Sequence, residues 1–122
     1  AGIVWVQGDR KLFGRIFTNL ILNAKQAVST DILPDIRVHL TVTEASQNVS
    51  ISVQDNGGGI PEDIQSKVFI PNFSTKSSGS GIGLAVAKRG VEHAGGKIWF
   101  TTNEEGTAFH IELPLADAGT ID

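Results

Sequence analysis

No cysteine occurs anywhere in the chain, so disulfides, thiolate metal sites and cysteine nucleophiles are excluded. Methionine is also absent, even at position 1; the chain reads as processed or, preferably, as a piece cut from a longer protein. Excess positive charge is missing too. The net charge is −3, which leaves no electrostatic footprint for DNA, RNA or an anionic membrane. No apolar run approaches the ~20 residues of a membrane span, and no secretory leader opens the sequence. The three histidines carry no signal. His39 and His110 fall on strand-like segments and His93 near a helix end. None has a carboxylate or nucleophile at a telling spacing, and no metal cluster or Ser/His/Asp arrangement is visible.

What is present suits one domain. At 122 residues with a hydrophobic fraction of 40%, the chain should bury about two thirds of its unfolded surface. The domain is expected over residues 1–114, with 115–122 as a frayed tail. Ile3 to Val6 reads as a short strand. Asp9 is a plausible cap for a long helix running to Ser29, with Leu12, Phe13, Ile16, Phe17, Leu20, Ala24, Ala27 and Val28 at helical spacing. Ile36, Val38, Leu40 and Val42 alternate with polar residues, as do Val49, Ile51 and Val53. Each run predicts a strand with one buried face, joined as a hairpin around Ser46-Gln47-Asn48. Pro61-Glu62-Asp63 opens a short helix. Ile70 to Ser80 is loop-like in composition. A second long helix spans Ile82 to Ala94 and stops at Gly95-Gly96. Two last strands are expected at Lys97–Thr102 and Thr107–Leu113. Strands in hairpins favour an α/β (α+β) two-layer sandwich: one mixed, mainly antiparallel, five-stranded sheet with about three helices on one face.

Four features carry chemistry. Asp55 ends a strand and opens Asp55-Asn56-Gly57-Gly58-Gly59-Ile60. A carboxylate there can accept a hydrogen bond from an exocyclic amine such as adenine N6, and nearby glycines leave room for a flat ring. Asp-Asn-Gly is equally a common turn former. A calcium loop fits poorly, because Gly57 stands where a second oxygen ligand is needed. Gly79-Ser80-Gly81-Ile82-Gly83-Leu84 opens a helix, and backbone N–H groups at such a start bind phosphate. The dinucleotide fingerprint and the P-loop both fail to fit its spacing; a flexible helix start is the plain alternative. Asn19 and Asn23 lie four apart and share a helix face. Asn23 could offer its carbonyl oxygen to Mg²⁺, or both amides could cap a neighbouring loop. Lys76, just before the second glycine cluster, can reach a phosphate as a point charge, although most lysines are merely solvated.

Together these residues resemble the catalytic ATP-binding domain of sensor histidine kinases, in the GHKL ATPase superfamily. Phe17 to Ala27 looks like the N box and Asp55 to Ile60 like the D-x-G-x-G box. Phe69 to Lys76 is similar to the F box and Gly79 to Leu84 to the second glycine box. Gly106-Thr107, leading to Leu113-Pro114, is similar to the closing segment. The resemblance covers Asp9 to Pro114 and implies the cofactors ATP and Mg²⁺. It implies that Asp55 accepts from the adenine amine, with Gly57 and Gly59 making room and Ile60 and Thr107 in contact with the nucleotide. It implies Asn23 as the Mg²⁺ ligand, with Asn19 and Lys76 at the phosphates as the catalytic pair. Thr75, Lys76 and the stretch Gly79, Ser80, Gly81, Ile82, Gly83 and Leu84 would form a lid anchored by Phe69 and Phe73. Written in serine and glycine, that lid is expected to be disordered without nucleotide.

Two departures sharpen the reading. Many kinases of this group carry a lysine three residues after the second asparagine; here it is Gln26. Lys25, Lys76 or Arg15 would have to supply that phosphate contact. ATPases of the gyrase, MutL or chaperone type, and serine kinases of the anti-sigma type, carry a glutamate four residues before the Mg-binding asparagine. Here that position is Asn19, which cannot act as a general base. The resemblance therefore implies a phosphate donor for a histidine on a dimerisation and phosphoacceptor domain outside this chain, with a response regulator as indirect partner. The domain alone is expected to be a monomer that contacts neither nucleic acid nor membrane. The alternatives are a GHKL-type ATPase or serine kinase, or a nucleotide-binding module without catalysis.

Overall fold

The computed structural model of the chain describes residues 10–43, 45, 47–70 and 83–115. Its elements are α1 (Arg10–Ala27), β1 (Arg37–Thr43), β2 (Asn48–Gln54), a 3-10 helix (Glu62–Lys67), α2 (Gly83–His93), β3 (Lys97–Asn103) and β4 (Gly106–Pro114). The four strands form one sheet in the order β1-β2-β4-β3. Every pairing among them is antiparallel. The expected sheet was mixed and five-stranded; its first strand, Ile3–Val6, lies outside the described residues, and so does the Asp9 cap.

Helical periodicity places one stripe of α1 inward. Ile16, Leu20 and Ala24 are buried, and Phe13 and Phe17 pack against the same cluster. Facing them are Val49 and Val53 of β2 and Phe109, Ile111 and Leu113 of β4, with Ala87 and Val91 of α2 in the same core. Both helices therefore share one face of the sheet. β4 alternates half-buried and buried residues from Gly106 to Leu113, as a central strand covered on one face should. α2 ends as its glycines predict. Gly95 takes φ +85, its N–H reaches the Glu92 carbonyl at 3.0 Å, and the Gly96 N–H reaches the Val91 carbonyl at 2.9 Å. That pair of bonds is a Schellman cap.

β1 departs from expectation. All seven of its residues are exposed, including Val38, Leu40 and Val42. The register puts these three opposite Val53, Ile51 and Val49, so they lie on the helix side of the sheet. β1 is an outer strand, however, while α1 packs on β2 and α2 on β3. Alternation reports which face is apolar; it does not report whether a helix covers it. Smaller differences are at element ends. α1 stops at Ala27 rather than Ser29, and the short helix after Pro61 is of the 3-10 type.

Candidate functional site

The strand-to-loop step at Asp55 is fixed by its neighbour β4. The Asp55 N–H donates to the Thr107 carbonyl at 2.9 Å, which extends the β2–β4 ladder one step beyond the strand end. The side chain then turns back into the same junction. Its Oδ1 accepts from the Gly57 N–H at 2.9 Å and from the Thr107 N–H at 3.1 Å. Asp55 is only 3% exposed. Two backbone donors on one oxygen pin the carboxylate plane. They also leave acceptor capacity on Oδ2, since an ionised carboxyl offers about four lone-pair sites.

A second network closes around Thr102 of β3. Its Oγ1 accepts from the Ile60 N–H at 2.9 Å and lies 2.8 Å from the Thr107 Oγ1. Gln65 of the 3-10 helix donates to the Ile60 carbonyl at 3.0 Å. Ile60, Thr102, Thr107 and Asp55 thus form one connected unit, with Thr107 buried at 4% exposure.

The glycines of the first cluster have reasons inside the protein. A Cβ on Gly57 would come closer than 3 Å to the backbone carbonyl of Ala27, at the end of α1. A Cβ on Gly59, which has φ +86, would meet the Asn103 carbonyl at the end of β3. Gly58 has open space around it. The loop is therefore seated between the end of α1 and the β3–β4 turn. Ala27 lies four residues beyond Asn23, so the Gly57 contact puts the Asp55 loop against the C-terminal end of the helix that carries both asparagines. Gly106 fits the same pattern: it takes φ +149, and a Cβ there would strike the Asp55 carbonyl.

Asn19 and Asn23 are both half-buried on α1, and Asn23 is engaged in a contact of its own. Asn19 lines an open depression with Lys11, Gly14, Arg15 and Thr18. α1 carries Arg10, Lys11, Arg15 and Lys25 and no acidic residue. Leu84 packs against the core at the start of α2. Phe69 follows the 3-10 helix and meets Phe100 and Phe109 with ring centroids 6.1 and 6.2 Å apart. The Lys88 ammonium sits 5.5 Å over its ring. The other expected contacts, Phe73, Thr75, Lys76, Gly79, Ser80, Gly81 and Ile82, lie outside the described residues.

The donor chemistry bears on the implied metal. Among the described residues no three His, Cys, Asp or Glu side chains come together. Mg²⁺ that travels with a polyphosphate needs only one or two protein oxygens, because phosphate and water fill its octahedron. A lone amide oxygen from Asn23 fits that requirement.

Thr102 and Asn56 escaped the sequence reading. Asn56 accepts from the Asp35 N–H at 2.9 Å and donates to the Leu33 carbonyl at 3.0 Å, so it ties the α1–β1 loop to the Asp55 loop. In the same loop the guanidinium of Arg37 grips both oxygens of Asp35, at 3.2 and 3.1 Å, and holds that carboxyl below its ordinary value. Nothing in a lone threonine on a strand announces such a role; the Asp-x-Gly spacing could only have marked Asn56 as a neighbour.

Known proteins resemble this chain in sequence and in fold. The sequence profile of the family described as "Histidine kinase-, DNA gyrase B-, and HSP90-like ATPase" matches residues 8–117. The chain is 36% identical over 123 residues to the sensory histidine kinase/phosphatase NtrB of Azospirillum brasilense, covering 92% of this chain and 31% of the relative. It is 37% identical over 111 residues to the sensor histidine kinase ZraS of Escherichia coli K12, covering 90% and 23%. Its fold matches the catalytic domain of the histidine kinase ThkA with a TM-score of 0.77 at 34% identity, covering 89% and 70%. It matches the mycobacterial sensor histidine kinase MprB with a TM-score of 0.79 at 29% identity, covering 90% and 76%. The chain spans about a third or less of the two full-length relatives.

Proposed function

Because the chain belongs to the histidine kinase-, DNA gyrase B- and HSP90-like ATPases, we propose that it binds Mg·ATP and donates the γ-phosphate to a histidine carried outside this chain. The observation that carries this reading is the pinned Asp55 carboxylate. It is buried, held by two backbone N–H groups on Oδ1, and followed by Gly57, which packs on the Ala27 carbonyl at the end of the helix that bears Asn19 and Asn23. A fixed acceptor selects a donor such as the adenine amine, because a ring without that donor would leave the remaining acceptor capacity on Oδ2 unmatched.

The chain's own contribution is placement and charge. Asp55 orients the base. Asn23 would hold Mg²⁺ and Asn19 the phosphates one helical turn away. Lys76 and the second glycine box would close over the terminal phosphate, and Arg15, which lines the same depression as Asn19, is a second cation within that neighbourhood. Bound Mg²⁺ would supply charge neutralisation at the phosphate oxygens. In the transfer, a histidine ring nitrogen forms a bond to the γ-phosphorus as the bond to the β–γ bridging oxygen breaks and ADP leaves. The relatives are sensor kinases far longer than this chain, which supports an acceptor on another segment and a two-component setting.

The test is direct. Asp55→Asn keeps the volume and replaces one acceptor oxygen by a donor. It should weaken ATP binding about 10- to 100-fold, the worth of one charge-assisted hydrogen bond, as read by calorimetry with Mg²⁺. Incubation with radiolabelled ATP and a purified histidine-bearing two-helix segment of a sensor kinase should give acid-labile, base-stable label on that segment. Unchanged ATP affinity in the variant would remove the basis of the site.

A further inference from the structure

The two ends of α1 have different surroundings. At its C-terminal end, Gly57 of the Asp55 loop packs on the Ala27 carbonyl, so the acceptor read above as the base contact lies toward that end. Counted back from Ala27 at about 1.5 Å per residue, Asn23 stands about 6 Å along the axis, Asn19 about 12 Å and Arg15 about 18 Å. Spaced four apart, the three climb one side of the helix. A helical side chain covers the turn N-terminal to its own Cα, so the Asn19 amide belongs over the turn that carries Arg15. Both residues line the same open depression, with Lys11, Gly14 and Thr18. Other candidate cations are placed differently. Lys25 is two residues from Asn23, and helical residues two apart do not face each other. Lys11 has a contact of its own, Lys88 lies over the Phe69 ring, and Arg37 is held by Asp35. Arg15 is exposed and has no ion pair among the described residues.

We propose that Arg15 recognises the terminal phosphate of the nucleotide and so sets the preference of this chain for a triphosphate over a diphosphate. The proposal rests on the Mg·ATP reading above and deepens it. With the base at Asp55 and Mg²⁺ at Asn23, the phosphate chain runs along α1 toward its N-terminal end. Its last member arrives at Asn19, one turn short of Arg15. There the amide offers a neutral donor, while the guanidinium offers a planar fork that matches two phosphate oxygens at once. ADP ends before this position and leaves the guanidinium in water. The contact also serves transfer. As the histidine nitrogen bonds to the γ-phosphorus and the bond to the β–γ bridging oxygen breaks, charge spreads over the three equatorial oxygens, and a guanidinium touching two of them stabilises it. Gln26, neutral where the resemblance leads one to expect lysine, then has its counterpart in the first half of the same helix.

Calorimetry with ATP and with ADP, each with Mg²⁺, tests this through a ratio. Arg15→Gln should lower the ATP-to-ADP affinity ratio about tenfold by weakening ATP alone, as loss of one charge-assisted contact does. Arg15→Lys, which keeps the charge but not the fork, should fall between Arg15→Gln and wild type. Lys25→Gln removes the same charge from another side of α1 and should leave the ratio unchanged. Arg15 is exposed, so its variants leave the core intact. The proposal is overturned if Arg15→Gln weakens ATP and ADP equally or moves neither, or if Lys25→Gln lowers the ratio as much. Slower label transfer at unchanged ATP affinity would make Arg15 a contact for the histidine-bearing segment instead, and overturns it too. Failure of the Mg·ATP reading looks different: wild type binds no ATP, or Asp55→Asn leaves ATP affinity unmoved.

Discussion

Gly57 and Gly58 are adjacent, and their surroundings are opposite. A methyl group on Gly57 would press on the Ala27 carbonyl, which is backbone and cannot swing aside, whereas one on Gly58 meets open space. Gly57→Ala should therefore destabilise the fold by about 1–3 kcal/mol, the usual penalty of forced overpacking. Gly58→Ala should stay within about 0.5 kcal/mol of wild type. Urea midpoints of the two variants check this, and equal midpoints would sink the packing account of Gly57. The spacing of Asp55, Gly57 and Gly59 was legible in the sequence because a carboxylate at a strand end followed by glycines constrains local backbone. Why those glycines are needed was not legible, because the colliding atoms belong to Ala27 and Asn103, far away along the chain. Thr102 and Asn56 were hidden for the same reason. Their partners stand 42 residues away for Ile60 and 21 and 23 residues away for Asp35 and Leu33, and threonine or asparagine at such a position is common for many other reasons.

At the scale of elements, the contrast between β1 and β4 decides where stability resides. Both read as alternating strands. β4 is central and its inward residues are buried, Ile111 at 1% exposure; β1 is an outer strand with Leu40 at 57%. Ile111→Ala should cost about 2–5 kcal/mol through lost transfer energy and a residual cavity. Leu40→Thr should move stability by about 0.5 kcal/mol or less, as measured by denaturant unfolding. A Leu40 penalty equal to that of Ile111 would mean that β1 is covered in solution. The opposite face of β4 makes a pH prediction. His110 stacks on Trp99 with centroids 5.4 Å apart, and its Nε2 lies 3.0 Å from the Thr101 hydroxyl. Burial lowers the imidazole below its ordinary value of 6.5. A histidine whose folded value lies below its unfolded one binds fewer protons when folded, so stability rises with pH through that window. Its contribution is intact above the unfolded value and is lost as the solution is acidified toward the folded one. Wild type should thus lose more stability than His110→Gln between about pH 7.5 and about pH 5.5, read as the shift of the urea midpoint. Equal shifts would show that His110 does not titrate differently on folding.

The whole molecule carries the question of what happens to a bound triphosphate. Hydrolysis needs a water, a group to take its proton, and an open line to the γ-phosphorus. In the described part of the site the carboxylate is Asp55, and it cannot take that proton. It is buried, its Oδ1 is occupied by two backbone donors, and on the proposed reading it stands at the base end of the site rather than at the phosphates. At the proposed phosphate end, α1 offers Asn19, Asn23 and cations; the helix contains no acid at all. An amide can orient a phosphate but cannot accept a proton at neutral pH. The same features serve transfer well, because an incoming imidazole brings its own lone pair and needs no base to create it. The chain alone should therefore bind Mg·ATP yet consume it far more slowly than ~1 s⁻¹, the low end of ordinary enzyme turnover. Adding a histidine-bearing segment should accelerate loss of ATP by moving the phosphoryl group onto that segment, with ADP rather than free phosphate as the matching early product. A phosphate-release assay beside an acid-labile label count separates the two fates. Rapid release of free phosphate by the chain alone would place a general base in the site after all, and with it a hydrolase in place of a donor.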